Sequence, residues 1–296
     1  MGRSISQTAA GVSVLSPTYN PSGIFGSGIV IPCAASFTFV VPTGVTSVRV
    51  RCFGGGGGGA AEYTSGSAGG TSSFGAYVSA TGGEGGYGRG TTRSEAGGTG
   101  SGGDINFTGG SGRSAGSFGN MGGGGVASYF GDGGNGAYVA NTSQNVNGGN
   151  STGGAGGGGY TYTAGGTTAG GSGFLSAGSI LKQVYSTSPG FAVPATQPPG
   201  QGWSVDMYGT GGGGACEIPG INGGGGGSQG NGAFPGGGSS GQYGAGGGGG
   251  FAMKTITGLT PGASISVTVG GGGSGGTNSN PYTAPAGARG LVVIEY

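Results

Sequence analysis

Val45-Thr46-Ser47-Val48-Arg49-Val50-Arg51-Cys52-Phe53 runs without a break into Gly54-Gly55-Gly56-Gly57-Gly58-Gly59. Two kinds of backbone meet at that junction. Before it, Val48, Val50 and Cys52 alternate with Arg49 and Arg51, the period-two pattern of a half-buried strand. After it there is no side chain on which any pattern could be written. The fold must join a sheet to a second architecture made from backbone alone.

Upstream, Phe37-Thr38-Phe39-Val40-Val41-Pro42 leads through Thr43-Gly44 into the strand. Residues 1–36 are a mixed Ser- and Pro-containing lead with short extended pieces. Downstream, to about residue 250, glycine runs alternate with variable segments; the runs fall at 54–59, 82–86, 122–125, 153–159, 211–214, 223–227, 236–238 and 246–250. Strand patterning returns with Phe251-Ala252-Met253-Lys254-Thr255-Ile256, a turn at 258–262, and Ile265, Val267 and Val269 alternating with Ser264, Ser266 and Thr268. Leu291-Val292-Val293-Ile294-Glu295-Tyr296 closes the chain. Four stretches result: 1–36 as an attachment or assembly segment, 37–53 as a strand opening, 54–250 as a glycine-rich body with loops, and 251–296 as a strand closure. Residues 45–53, 263–269 and 291–296 are expected to pair antiparallel in one small sheet. Val48, Val50, Ile265, Val267 and Val293 would then share one apolar face. No segment carries a helical period.

Composition narrows the class. The 296 residues include 90 glycines, and charged residues make up 6%, against roughly 7% glycine and 25% charge in ordinary globular domains. With 13 prolines and no unbroken Gly-X-Y register, collagen is excluded. Disorder is opposed by 32% hydrophobic residues and by 13 Tyr, 12 Phe and one Trp spread along the chain. A net charge of +1 provides no field for nucleic acid or an anionic membrane. No apolar stretch approaches the ~20 residues of a membrane span, and the start lacks the apolar core of a signal peptide. Gly2 and Ser6 fit a myristoylation pattern, but residues this common match it by chance. Cys33, Cys52 and Cys216 share no metal-ligand spacing, and their odd number opposes a disulfide framework. No metal or cofactor is expected.

Ordering glycine costs more backbone entropy than ordering any other residue, so a folded glycine body needs a lattice that satisfies backbone groups densely. Polyproline-II geometry provides one: three residues per turn, and N–H and C=O groups pointing outward to neighbouring rods. Glycine must then recur at spacing three where rods touch. Gly82, Gly85 and Gly88 do so, as do Gly97, Gly100 and Gly103; Gly116, Gly119, Gly122 and Gly125; Gly224, Gly227 and Gly230; and Gly241, Gly244, Gly247 and Gly250. A rod of the length of 54–59 spans roughly 19 Å. Tyr87, Phe118, Tyr160, Tyr243 and Phe251 stand beside runs and could cover the outer faces. The competing reading is a flexible Gly/Ser linker between terminal strands.

Residues 37–50 followed by a glycine run resemble the opening of glycine-rich domains in bacteriophage tail fibre and tail proteins. Thr260-Pro261-Gly262-Ala263-Ser264-Ile265-Ser266-Val267-Thr268-Val269-Gly270-Gly271-Gly272, and Gly290 through Tyr296, resemble their closing segment. Within these brackets the alternation is similar in design to the tail fibre tip adhesins of T-even-like phages. That resemblance implies a sandwich of polyglycine II helices bracketed by short antiparallel strands, with hypervariable loops contacting a bacterial surface receptor. It implies a virion location, an outer-membrane protein or polysaccharide as receptor, and other virion tail proteins as partners. Homotrimers and single copies are both open to such proteins. Residues 1–36 resemble no known attachment domain.

Chemistry-bearing motifs are sparse. Gly112-Arg113-Ser114-Ala115-Gly116 spells a nucleophile elbow, but that mechanism needs a histidine and the chain has none. No strand–helix unit follows any glycine run, so dinucleotide fingerprints are empty, and the eight carboxylates show no paired acid/base spacing. A non-enzyme is expected. Glu84, Arg89, Arg93, Glu95, Asp104 and Arg113 form one charge cluster, read either as a solvated loop region with weak ion pairs or as contacts to charged lipopolysaccharide or a porin loop. The glycine-poor segment 172–210 is read as a covering flap or as a receptor loop. In the second case Phe191, Trp203 and Tyr208 would anchor binding, with Tyr129 and Phe130 from 126–147. The expected function is a phage adhesin; the alternatives are a structural baseplate, tail or head-decoration protein, and then an ice-binding protein.

Overall fold

In the computed structural model the residues described are 5–7, 13–15, 26, 28–90, 93–114, 121–137, 148–149, 151, 154–158, 231–241, 243–278 and 283–296. Among them there is no helix. The strands in chain order are β1 (Ile5–Gln7), β2 (Ser13–Leu15), β3 (Val30–Cys33), β4 (Phe37–Val40), β5 (Ser47–Phe53), β6 (Ser72–Phe74) and β7 (Val78–Ala80). They continue as β8 (Arg93–Glu95), β9 (Gly100–Ser101), β10 (Ile105–Phe107), β11 (Gly112–Ser114), β12 (Phe251–Thr257), β13 (Ser264–Thr268) and β14 (Leu291–Glu295).

Two five-stranded antiparallel sheets hold most of them. One has the order β10-β12-β5-β14-β3 and the other β4-β13-β6-β7-β9. The alternation in β5 explains their apposition. Val48, Val50 and Cys52, with Ala252, Ile256, Val292 and Ile294 from β12 and β14, meet Phe39, Phe74, Val78, Ile265 and Val267 of the other sheet in one buried cluster. Cys33 and Cys52 sit in it as free thiols. Burial raises Cys33 to about 11; burial, and then the neighbouring Cys33, raises Cys52 to about 12. Both are inert thiols at neutral pH.

This corrects the single-sheet expectation. Residues 45–53 and 291–296 do pair, in the register Val50↔Ile294 and Cys52↔Val292, but β13 lies in the facing sheet against β4. Val48, Val50, Ile265 and Val267 share a core by facing each other across the gap. Val293 points the other way, into a second cluster with Phe53, Phe251, Leu291, Val126, Ala127 and Ala155. Nor is β5 half-solvated. Arg51 is only 4% exposed, and Glu295 of β14 reaches across to bond both Arg49 and Arg51. Strand β3, from the lead segment, completes the first sheet's edge beside β14.

The second cluster is where the glycine body meets the sheet. From Phe53 onward the N–H groups of successive residues turn to three neighbours in rotation. Gly54, Gly57 and Ala60 donate to Gly250, Gly247 and Gly244; Gly55, Gly58 and Ala61 donate to Gly70, Ser67 and Thr64; Gly56 and Gly59 donate to Ala288 and Pro285. The carbonyls take three further neighbours: Gly55 and Gly58 accept from Gly83 and Gly86, Gly56 and Gly59 from Gly273 and Gly276, and Gly57 from Ser239. A step of three on both partners matches the three residues per turn of polyproline-II geometry. The segment 54–61 is thus enclosed by six others. A Cβ on Gly54, Gly57, Gly55, Gly58, Gly56 or Gly59 would collide with the backbone of a neighbour.

Segments 82–88, 108–114, 121–127, 132–137, 154–158, 237–241, 244–250, 269–276 and 284–290 extend this lattice. Not every spacing-three set belongs to it: Gly100 lies in β9 and Gly103 in the turn before β10, because the chain there has already rejoined the sheets. Phe251 is buried edge-on against Phe53, ring centroids 5.0 Å apart, and covers no outer face. Runs 211–214 and 223–227, Gly116, Gly119, Gly224, Gly227, Gly230, Phe118 and Tyr160 lie outside the described residues.

Candidate functional site

Segments of similar length that leave facing strands end together, and β5 and β7 face each other from the two apposed sheets. The rod from Phe53 ends at Ala61 and the rod from Thr81 ends at Gly88, so Glu62 and Arg89 meet. The Arg89 N–H donates to the Glu62 carbonyl at 2.6 Å, and its guanidinium donates to Glu62 Oε1 at 2.8 Å. A hydrogen bond from Tyr63, set against partial desolvation, and further bonds from Arg89 and Asn278 hold the Glu62 carboxyl below the usual carboxylate range. Tyr243 lies in the same end; burial, and then the charge of Glu62, push its phenol up. Tyr63 itself stands 72% exposed.

A second set adjoins the first. The Arg93 guanidinium lies over the Tyr87 ring at 4.1 Å and donates to Glu84 Oε2 at 2.7 Å. Glu84 Oε2 also accepts the Ala96 N–H at 3.0 Å. Behind this exposed layer, β8 and β11 form a two-stranded ribbon. Here Ser114 accepts the Tyr87 N–H at 3.0 Å and donates to Glu95 Oε1 at 2.5 Å. Glu95 has no exposed surface. The rod end therefore presents Tyr63, Tyr87, Arg89 and Arg93 on a backbone that neighbouring rods fix.

The structure divides the residues singled out from sequence. Arg89 and Arg93 come together; Arg113 is half-buried in β11, next to Ser114. Tyr129 and Phe130 lie at the opposite end, in the turn between Ser128 and Gly131, their rings edge-to-face with centroids 5.2 Å apart. That turn follows Val126 and Ala127, which pack on the sheet beside Phe53. Asp104 is also at the sheet end, accepting the Thr255 N–H at 2.8 Å, so the six-member charge cluster does not stay together. Phe191, Trp203 and Tyr208, with the whole of 172–210, lie outside the described residues. Glu62 and Tyr63 were not singled out. The signal for them was the equal distance of residues 62 and 89 from their strands.

Ser114 of the elbow-like motif is buried between the Tyr87 N–H and Glu95. No group of three metal-ligating side chains occurs among the described residues, and no helix among them is long and apolar enough to cross a membrane. No protein-family model, curated protein or solved structure matches the chain.

Proposed function

We propose that the chain is a bacteriophage tail fibre or tail-tip adhesin, carried on the virion, whose glycine body is a stack of polyglycine II rods. It binds a bacterial outer-surface receptor, an outer-membrane protein or a polysaccharide, without turnover. The observation that carries this reading is the three-residue rotation of hydrogen bonds around 54–61. A rod tied to six neighbours cannot slide or swing, so the turns at its end are held in place. Loops on such a support bind with less ordering cost than free loops. Exposed Tyr63 and Tyr87, with Arg89 and Arg93, provide ring surface and directed donors, the residue types on which interface energy concentrates.

Labelled full-length protein should bind saturably to some bacterial strains in a panel, and lose that binding on mutants lacking one surface protein or one polysaccharide. Equal binding to all strains, or to none, would remove the adhesin reading and leave the structural virion role.

A further inference from the structure

The rod end contains a carboxyl that its surroundings do not equip to be charged. Glu95 is fully buried. Its Oε1 accepts from Ser114 at 2.5 Å, and its Oε2 has no hydrogen-bond partner among the described residues. The groups around it come from three elements. From its own strand, Arg93 Nε lies 3.8 Å from Oε1, but the same guanidinium is engaged by Glu84 at 2.7 Å and stacked on Tyr87. From the rod 82–88, Glu84 adds a second negative charge and Tyr87 contributes the N–H held by Ser114. From β11 comes Ser114; Arg113, next in the strand, points to the other face by alternation. The rod 244–250 contributes only glycine and alanine.

We propose that Glu95 is a proton-operated latch: its neutral form seats the β8–β11 ribbon against the rods, and its ionisation loosens the ribbon and frees the Tyr87–Arg93 surface. An ionised Glu95 would bury a charge favoured by the Ser114 hydroxyl, its own backbone N–H and an Arg93 shared with Glu84. Relief requires either that the ribbon open to water or that Arg93 leave Glu84, and both move the Tyr87–Arg93 stack. Burial pushes the carboxyl up to about 7, with the Ser114 bond and then Arg93 opposing. The folded value lies above the ordinary 4.5. The stabilising contribution is therefore complete below about 4.5 and is lost as pH rises through about 7. The latch is closed in acid and open in weak alkali. It stands whether or not the rod end binds a receptor.

Titration of the wild-type protein carrying carboxyl-¹³C glutamate should show one glutamate changing near neutrality, and Glu95→Gln should remove that resonance. Hydrogen exchange of residues 87–90, 93–96 and 112–114 should speed up several-fold from pH 5.5 to 8.5, after correction for intrinsic rates. In Glu95→Gln, the neutral mimic, it should stay slow. Ser114→Ala, which removes the bond favouring the charged form, should move the midpoint upward. If all glutamates titrate in the ordinary carboxylate range, or if wild type and Glu95→Gln show the same pH profile of exchange, there is no latch.

Discussion

Gly270, Gly271 and Gly272 are consecutive, alike in sequence and different in circumstance. A Cβ on Gly270 would strike the backbone of Gly70, and one on Gly272 that of Gly287; at Gly271 there is nothing within 4 Å. Alanine at 270 or 272 should therefore cost about 2–3 kcal/mol by forcing rods apart. Alanine at 271 should change stability by less than about 0.5 kcal/mol. Thermal unfolding of the three single variants checks this, and equal losses at all three would deny the lattice. Gly44 is a different case: space is open, but its φ is +81°. Alanine there should cost about 1 kcal/mol through backbone strain alone.

At the scale of the element, β14 holds the first sheet together, since it pairs with β5 on one side and β3 on the other. Both its faces are buried: Val292 and Ile294 against the second sheet, Leu291 and Val293 against the glycine body. Deleting 290–296 should give protein that is insoluble or rapidly proteolysed; a soluble, resistant truncation would overturn this role. Within the strand, Glu295 neutralises Arg51, which has almost no access to water. Glu295→Leu should cost about 3–5 kcal/mol, because it strands a buried cation. Adding Arg51→Met should recover much of the loss, since the buried charge goes as well. Denaturant unfolding of the two singles and the double completes the cycle. If the double loses as much as both singles added together, the ion pair is not what holds β14 in place.

Among the described residues the sheets act as a base, and the segments 54–61 and 82–88 carry chain from it to a common end. Tyr63→Ala should weaken binding to a receptive strain by on the order of 2 kcal/mol, with little change in thermal unfolding because the ring is exposed. Arg89→Ala should weaken it less, since its guanidinium is already engaged by Glu62. Tyr129→Ala, at the opposite end, should leave adsorption unchanged. Adsorption lost through Tyr129 and kept without Tyr63 would place recognition at the sheet end instead.

The amino-acid sequence by itself determined the strands that bracket the glycine body, β4, β5, β12, β13 and β14, and the change of backbone after Phe53, but not the short strands β6 to β11 within that body. Alternation of Val48, Val50 and Cys52 is a local pattern that reports a strand. The absence of side chains in 54–59 is a local fact that permits only backbone-to-backbone packing. Only the tertiary structure decided which strand joins which sheet, because partner choice depends on groups far apart in the chain: Arg49 meets Glu295 across 246 positions. The same holds at the rod end. Glu62 and Arg89 were visible as residues, but their meeting depends on two segments of matched length leaving strands in the two facing sheets. Glu95 looked in sequence like one more solvated charge; the packing of β8 on β11 buries it, and burial, which no local pattern encodes, is what pushes its carboxyl up to about 7.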